Sequence, residues 1–302
     1  MNEVDVKVNS FKAWILASRP KTLSGAAVPV MIGTALAMRD ASFDIRIVPA
    51  VLCFLFAFLM QIDANFVNDY FDYVKGTDDE NRLGPKRACA QGWITEKAMR
   101  RGMALTTVLS CMVGLPLVVY GGWHMIVIGA ACVVFCFLYT TCLSYMGLGD
   151  VLVLLFFGFV PVCLTYYLDM PSGAPLFSQE VVWTSLACGL VIDTLLVVNN
   201  YRDIDNDRRS GKKTLVVRIG ARASEKLYLG LGLTACISSF ILFYDRSMWA
   251  AFLPLGYLAL HIYTYREMIR IRKGSELNRV LGKTARNMFV YGLLQSVGLI
   301  IA

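Results

Sequence analysis

The chain has 302 residues, of which 57% are hydrophobic and only 17% charged. A water-soluble domain carries about 25% charged residues, so the deficit excludes an ordinary soluble enzyme and points to lipid. The formal net charge of +7 does not indicate nucleic acid: the Lys and Arg sit in short loops beside apolar runs, where they set membrane topology, and no aromatic-basic binding module accompanies them.

In chain order, apolar stretches long enough to cross roughly 30 Å of hydrocarbon fall at 13–38, 47–68, 102–121, 123–143, 148–168, 180–200, 227–244, 247–265 and 285–302. Backbone polar groups in lipid must be satisfied within each segment, so each stretch is expected to be a helix. The chain therefore reads as an all-α integral membrane protein of about nine transmembrane helices. Tight turns around Gly121-Gly122 and Gly147-Gly149 also admit eight or ten. With the N-terminus in the cytoplasm, all 29 Lys and Arg except Arg39, Arg46 and Arg246 fall on the inner side, which is the asymmetry that membrane insertion produces. A single domain over 1–302 is expected, with polar cytoplasmic loops over about 69–101 and 201–226 capping it. The nine cysteines form no C-x-x-C pair and read as small apolar packing residues.

Two acidic clusters emerge on the cytoplasmic side. After the second span the sequence runs Asn65, Asn68, Asp69 and Asp72, then Lys75, Gly76 and Asp78. If the helix continues, the first four share a face at i, i+3, i+4 and i+7. The sixth span ends Asn199-Asn200-Tyr201-Arg202-Asp203, followed by Asp205 and Asp207. Asn199, Asp203 and Asp207 share a face at i, i+4 and i+8. The two clusters are thus expected to face each other across one cavity.

Carboxylates crowded in a partly dry pocket oppose each other's ionisation, and a divalent cation removes the conflict. Carboxylate and amide oxygens without Cys or His suit Mg²⁺, which keeps waters and is completed by substrate phosphates. Asp69, Asp72, Asp78, Asp203 and Asp207 are the candidate metal ligands. Arg82, Lys86, Arg87, Lys212 and Lys213 lie close in sequence, and together with the metal they compose a clamp for a diphosphate. Polar groups at a helix end within a membrane are costly and mark function.

At these motifs the chain resembles the UbiA superfamily of intramembrane prenyltransferases, most closely its 1,4-dihydroxy-2-naphthoate branch in menaquinone synthesis. The matching residues are Arg19-Pro20-Lys21-Thr22-Leu23, Asn68-Asp69-Tyr70-Phe71-Asp72 through Asp78, Gly84-Pro85 with Arg87, Asn199 through Asp207, Gly211 through Leu215, and Val217-Arg218-Ile219-Gly220. The first motif departs from the N-x-x-x-D-x-x-x-D spacing at its third position, where Gly76 stands and Asp78 follows two residues on. The segment from Tyr139 through Tyr145 to Asp150 resembles an aromatic, glycine-rich stretch of the branch, but it lacks the usual Gly-Pro, and Asp150 replaces a common Glu.

The resemblance implies a helical bundle around a central cavity in the cell inner membrane, with its active site at the cytoplasmic side. It implies an Mg²⁺-dependent transferase that joins a polyprenyl diphosphate to an aromatic acid. Asp69, Asp72, Asp203 and Asp207 would be catalytic, and Asn65, Asn68, Asn199, Asn200, Lys21, Arg82, Arg87, Arg202, Lys212, Lys213, Tyr139 and Tyr145 would bind substrate. In the naphthoate branch the attacked ring carbon carries the carboxylate, and CO₂ loss restores aromaticity. An alternative acceptor within the family is 4-hydroxybenzoate. A reading from another class is a transporter with the carboxylates as an ion relay, but transporters place such groups near the bilayer midplane.

Overall fold

The structure, a computed structural model, describes residues 6–76, 82–171 and 178–301. Asp78 lies outside the described residues. Helices follow one another in the order α1 (Phe11–Ser18), α2 (Ser24–Asp40), α3 (Ile47–Val74), α4 (Glu96–Gly114), α5 (Val118–Gly121), α6 (His124–Leu138), α7 (Gly149–Val153), α8 (Val160–Asp169), α9 (Gln179–Arg202), α10 (Ile204–Arg209), α11 (Leu215–Ile219), α12 (Ala221–Phe243), α13 (Met248–Phe252), α14 (Gly256–Ile271) and α15 (Leu277–Ile300). No strand occurs among the described residues. Where helices begin in polar surroundings, hydroxyl side chains take up a free backbone N–H: Ser10 accepts from Ala13, Thr95 from Ala98 and Ser178 from Val181. Such caps each contribute about 1 kcal/mol.

Six helical segments are long and apolar enough to cross a membrane: Ile47–Val74, Glu96–Gly121, His124–Leu143, Gly149–Asp169, Gln179–Arg202 and Ala221–Phe243. A seventh is counted if Phe11–Thr22 and Ser24–Asp40, bent by 50° at their junction, form one span. The remaining two expected stretches, 247–265 and 285–302, fall on α13–α14 and α15 and are helical. They carry buried polar side chains that lower their apolar character. His261 contacts the Tyr257 hydroxyl at 3.0 Å, and Asn287 donates to Thr264 Oγ1 and to the Leu260 carbonyl at 2.8 and 3.1 Å.

The bundle closes around α9, which packs against α2, α8, α12 and α15. The approach to the chain preceding α8 is backbone to backbone. A Cβ on Gly158 would lie 2.8 Å from Gly189 Cα and from the Ser185 carbonyl oxygen, so no larger residue fits without moving a helix. Helix α3 is fastened to α4 by Asp63, whose two carboxylate oxygens accept from Thr106 and Thr107 hydroxyls at 2.6 and 2.8 Å. Large apolar side chains such as Val108, Met112, Val119, Ile126 and Val134 remain exposed on the outer faces of α4 to α6, as a lipid-facing surface requires. The chain is a multi-pass membrane protein.

Candidate active site

Helix α3 does not stop at the end of its apolar run but continues to Val74, which makes Asn65, Asn68, Asp69 and Asp72 helical as expected. At the end of α9, Asp203 leaves helical geometry and α10 restarts at Ile204, carrying Asp207 around the corner. The two segments meet over a cavity of about 200 Å³. Asn68, Asp72, Asn199, Asn200, Asp203 and Asp207 line it, together with Arg82, Arg87, Lys212 and Tyr139. Most of the expected constellation is therefore brought together.

Its charges are arranged in alternation. Asp72 is held by Arg87 Nη2 at 3.1 Å and Lys212 Nζ at 3.5 Å. Asn68 accepts from the Thr140 hydroxyl at 2.8 Å. Burial, helped by Asp203 and Asp72 nearby, pushes the Asp207 carboxyl up to about 7 against the opposing pull of Lys212. Burial works against the Lys212 ammonium, but Asp72, Tyr145 and Asp207 outweigh it and keep its pKa above the ordinary lysine value. Asp207 is thus under electrostatic pressure that a divalent cation relieves, and the Asp and Asn side chains of the site offer oxygen donors, which fit Mg²⁺. Among the described residues no three Asp, Glu, His or Cys side chains converge on one metal-sized point.

Six expected site residues lie elsewhere. Asp69 does not line the cavity; its oxygens accept from the Ala88 and Cys89 backbone N–H groups at 2.9 and 2.8 Å. It clasps the 85–92 loop to α3. Asn65 also turns away, donating to the Ser18 carbonyl and Thr22 Oγ1 at 2.9 and 3.0 Å. Arg202 is shielded behind Asp203, gripping both of its oxygens at 2.9 and 2.6 Å and reaching Asn199 Oδ1 at 3.0 Å. Lys21 and Lys213 are exposed, and only the Lys213 backbone takes part, donating to the Tyr145 carbonyl at 3.1 Å. The Tyr145 ring lies between the ammonium groups of Lys75, at 4.1 Å, and Lys212, at 5.1 Å. It joins the two motif loops and is not on the cavity wall.

Three residues of the site escaped the sequence reading. Arg19 lines the cavity, whereas the reading selected Lys21 from the same Arg-Pro-Lys tripeptide. Pro20 follows α1, whose C-cap Arg19 adopts a left-handed conformation with φ 49°, and the Arg19 Nη2 lies 3.9 Å from Asp69 Oδ2. Asn278, at the start of α15, accepts from Arg202 at 2.9 Å and donates to the Leu83 carbonyl at 2.7 Å, an arrangement with no local sequence signal. Asp150, in the aromatic, glycine-rich segment, also reaches the cavity. The loop backbone presses closely here: a Cβ on Gly84 would lie 2.7 Å from Arg202 Nη2.

Comparison with known proteins adds an independent observation. The sequence profile of the UbiA prenyltransferase family matches residues 26–293. A 1,4-dihydroxy-2-naphthoate octaprenyltransferase of Escherichia coli is 33% identical over 307 residues, covering 98% of this chain and 97% of that protein. An enzyme of the same name from Haemophilus influenzae is 32% identical, with 96% of each chain covered. Among solved structures, a UbiA homologue from Archaeoglobus fulgidus bound to DMAPP and Mg²⁺ superposes with a TM-score of 0.62, covering 94% of this chain and 99% of that one at 15% identity; at that identity the likeness speaks to the fold.

Proposed function

The chain belongs to the UbiA prenyltransferase family, and on that premise we propose that it transfers a polyprenyl group to 1,4-dihydroxy-2-naphthoate, releasing diphosphate and CO₂ and giving demethylmenaquinol. The observation that carries the reading is the cavity in which Asn68 and Asp72 of α3 face Asn199, Asp203 and Asp207 of α9 and α10, ringed by Arg19, Arg82, Arg87 and Lys212. The acceptor follows the full-length relatives of that name.

Asn68, Asp72, Asn199, Asp203 and Asp207 are the residues that would hold Mg²⁺. The ion would draw charge from the diphosphate so that its allylic C–O bond ionises. Arg87 and Lys212, already paired with Asp72, are placed to take up the negative charge of the departing diphosphate. Arg202 and Asn278 orient Asp203 and Asn199 from behind, and Asp69 holds the 85–92 loop that delivers Arg87. The electron-rich ring attacks the allylic carbon, and loss of CO₂ restores aromaticity without a strong base. The loops over the cavity mouth exclude water from the carbocation. An apolar bundle accommodates the prenyl tail. We place the whole chain in one domain in the cytoplasmic membrane, with the N-terminus and the cavity mouth on the cytoplasmic side; the inward bias of Lys and Arg supports that orientation.

The acceptor assignment is tested by competition. Membranes containing the protein are offered a polyprenyl diphosphate with equal amounts of 1,4-dihydroxy-2-naphthoate and 4-hydroxybenzoate, and products are weighed by mass spectrometry. A prenylated, decarboxylated naphthol product is expected. Prenylated hydroxybenzoate alone would overturn the acceptor while retaining the transferase.

A further inference from the structure

Beside the proposed metal-binding residues lies a second acidic element that the diphosphate chemistry does not use. Asp150, at the start of α7, is 8% exposed and lines the cavity, and its Oδ1 has no hydrogen-bond partner. Asp193, on α9, is 2% exposed, and its Oδ1 is also without a partner. The two carboxylates interact electrostatically with each other and with Tyr139. Asp193 lies ten residues before Asp203, about 15 Å down a helix rising 1.5 Å per residue. Asp193 therefore lies on the membrane side of Asp203, while Asp150 lines the cavity itself.

A buried carboxylate oxygen left without a donor is expensive. Asp150 has no cation in salt-bridge contact among the described residues, in contrast to Asp72. Tyr139, Gly149 and Leu196 are among the residues that line the same cavity. A Cβ on Gly149 would meet Leu196 Cδ2 at 3.4 Å and the Tyr139 hydroxyl at 3.6 Å, both ordinary contact distances, so an aliphatic and an aromatic side chain flank the backbone beside Asp150. A hydroxyl on an aromatic acceptor entering the cavity supplies the hydrogen bond that Asp150 Oδ1 lacks.

We propose that Asp150, with Asp193 behind it, is the acceptor-binding carboxylate of this enzyme, accepting a hydrogen bond from the ring hydroxyl remote from the acceptor's own carboxylate. This rests on the aromatic-acceptor reading above and adds a direction to it. The acceptor's carboxylate turns to the cationic wall of Arg19, Arg82, Arg87 and Lys212, while its far hydroxyl faces Asp150. In 1,4-dihydroxy-2-naphthoate that group is the 4-hydroxyl. A site built around such a bond discriminates against a ring lacking the hydroxyl, because the buried carboxylate is then left unpaired.

The test is equilibrium binding to the full chain in nanodiscs, with Mg²⁺ and a non-reacting prenyl thiodiphosphate present. The ligands are 1,4-dihydroxy-2-naphthoate and 1-hydroxy-2-naphthoate. The wild type is expected to prefer the dihydroxy ring by about 10-fold or more, the range of a hydrogen bond to a charged group. Asp150→Asn should narrow that preference and Asp150→Leu abolish it, with thiodiphosphate affinity changed by less than about two-fold, since Asp150 is given no part in holding the diphosphate. Asp150→Asn nearly preserves shape and decides the matter if the Leu variant fails to fold. A preference that persists in both variants, no preference in the wild type, or a parallel loss of thiodiphosphate affinity would overturn the inference. Because binding is read without turnover, these results are separable from failure of the transferase reading, which the wild type's turnover with a reactive polyprenyl diphosphate addresses.

Discussion

Arg202 grips both carboxylate oxygens of Asp203, Nε to Oδ1 at 2.9 Å and Nη2 to Oδ2 at 2.6 Å, with its own side chain fully shielded from solvent. A planar guanidinium fork matches a carboxylate in a way that a lysine ammonium does not. Arg202→Lys is therefore expected to retain the charge and lose the orientation. Supporting residues behind metal ligands typically carry about 10- to 100-fold in metal affinity or activity. The Mg²⁺ concentration giving half-maximal turnover should rise by a factor in that range, and an unchanged Mg²⁺ dependence would contradict a positioning role.

Asp69 and Asp72 are three residues apart on one helix, yet they should behave differently when changed. Asp69→Ala removes two charge-assisted bonds to the Ala88 and Cys89 backbone, each contributing about 1.5–3 kcal/mol, so thermal unfolding in detergent should shift clearly downward. Asp72→Asn should abolish turnover while leaving the unfolding midpoint within a few degrees. The reverse pattern would place the metal on Asp69.

That contrast also marks how far the sequence could be read. The spacing of Asn65, Asn68, Asp69 and Asp72 correctly indicates one polar side of a helix. Such a side is wide enough for two adjacent i, i+4 stripes, and periodicity does not separate them. Asn68 and Asp72 form the stripe toward the cavity; Asn65 and Asp69 form the one toward α1 and the 85–92 loop. The second cluster was more legible, because Asn199, Asp203 and Asp207 all reach the cavity. Arg19 and Asn278 depend on a left-handed cap and on a contact between distant segments, neither of which leaves a periodic trace. Span counting weakened at α14 and α15 for a related reason: His261, Asn287 and Thr264 find partners within the bundle, and hydropathy does not register that pairing.

Mg²⁺ affinity should depend on pH through Asp207. With its carboxyl pushed up to about 7 by burial, against an ordinary Asp value of about 3.9, the metal-free folded state keeps a proton that the unfolded chain has lost. Metal-free stability from this group accordingly falls as pH rises from about 4 to about 7. Metal binding expels the proton, so Mg²⁺ affinity should climb between pH 6 and 7 and level off above. Isothermal titration across that range checks the slope, and Asp207→Asn should flatten it along with weakening binding.

Orientation is open to a direct check. If the N-terminus is cytoplasmic, a fluorescent protein fused there should fluoresce, and alkaline phosphatase fused at the same point should be inactive. Active phosphatase would invert the topology and move the cavity mouth to the other side of the membrane.

The central claim is that the α3 and α9–α10 clusters form one metal-dependent prenyl-transfer site. The most direct measurement is turnover of a polyprenyl diphosphate and 1,4-dihydroxy-2-naphthoate by the purified protein in nanodiscs, with Mg²⁺ or EDTA, for the wild type, Asp72→Asn and Asp203→Asn. The account predicts a prenylated, decarboxylated product that EDTA abolishes and that either single variant reduces by at least about 100-fold, since each removes a group acting on the transition-state charge. Full activity in EDTA, or in either variant with the other cluster intact, would contradict it.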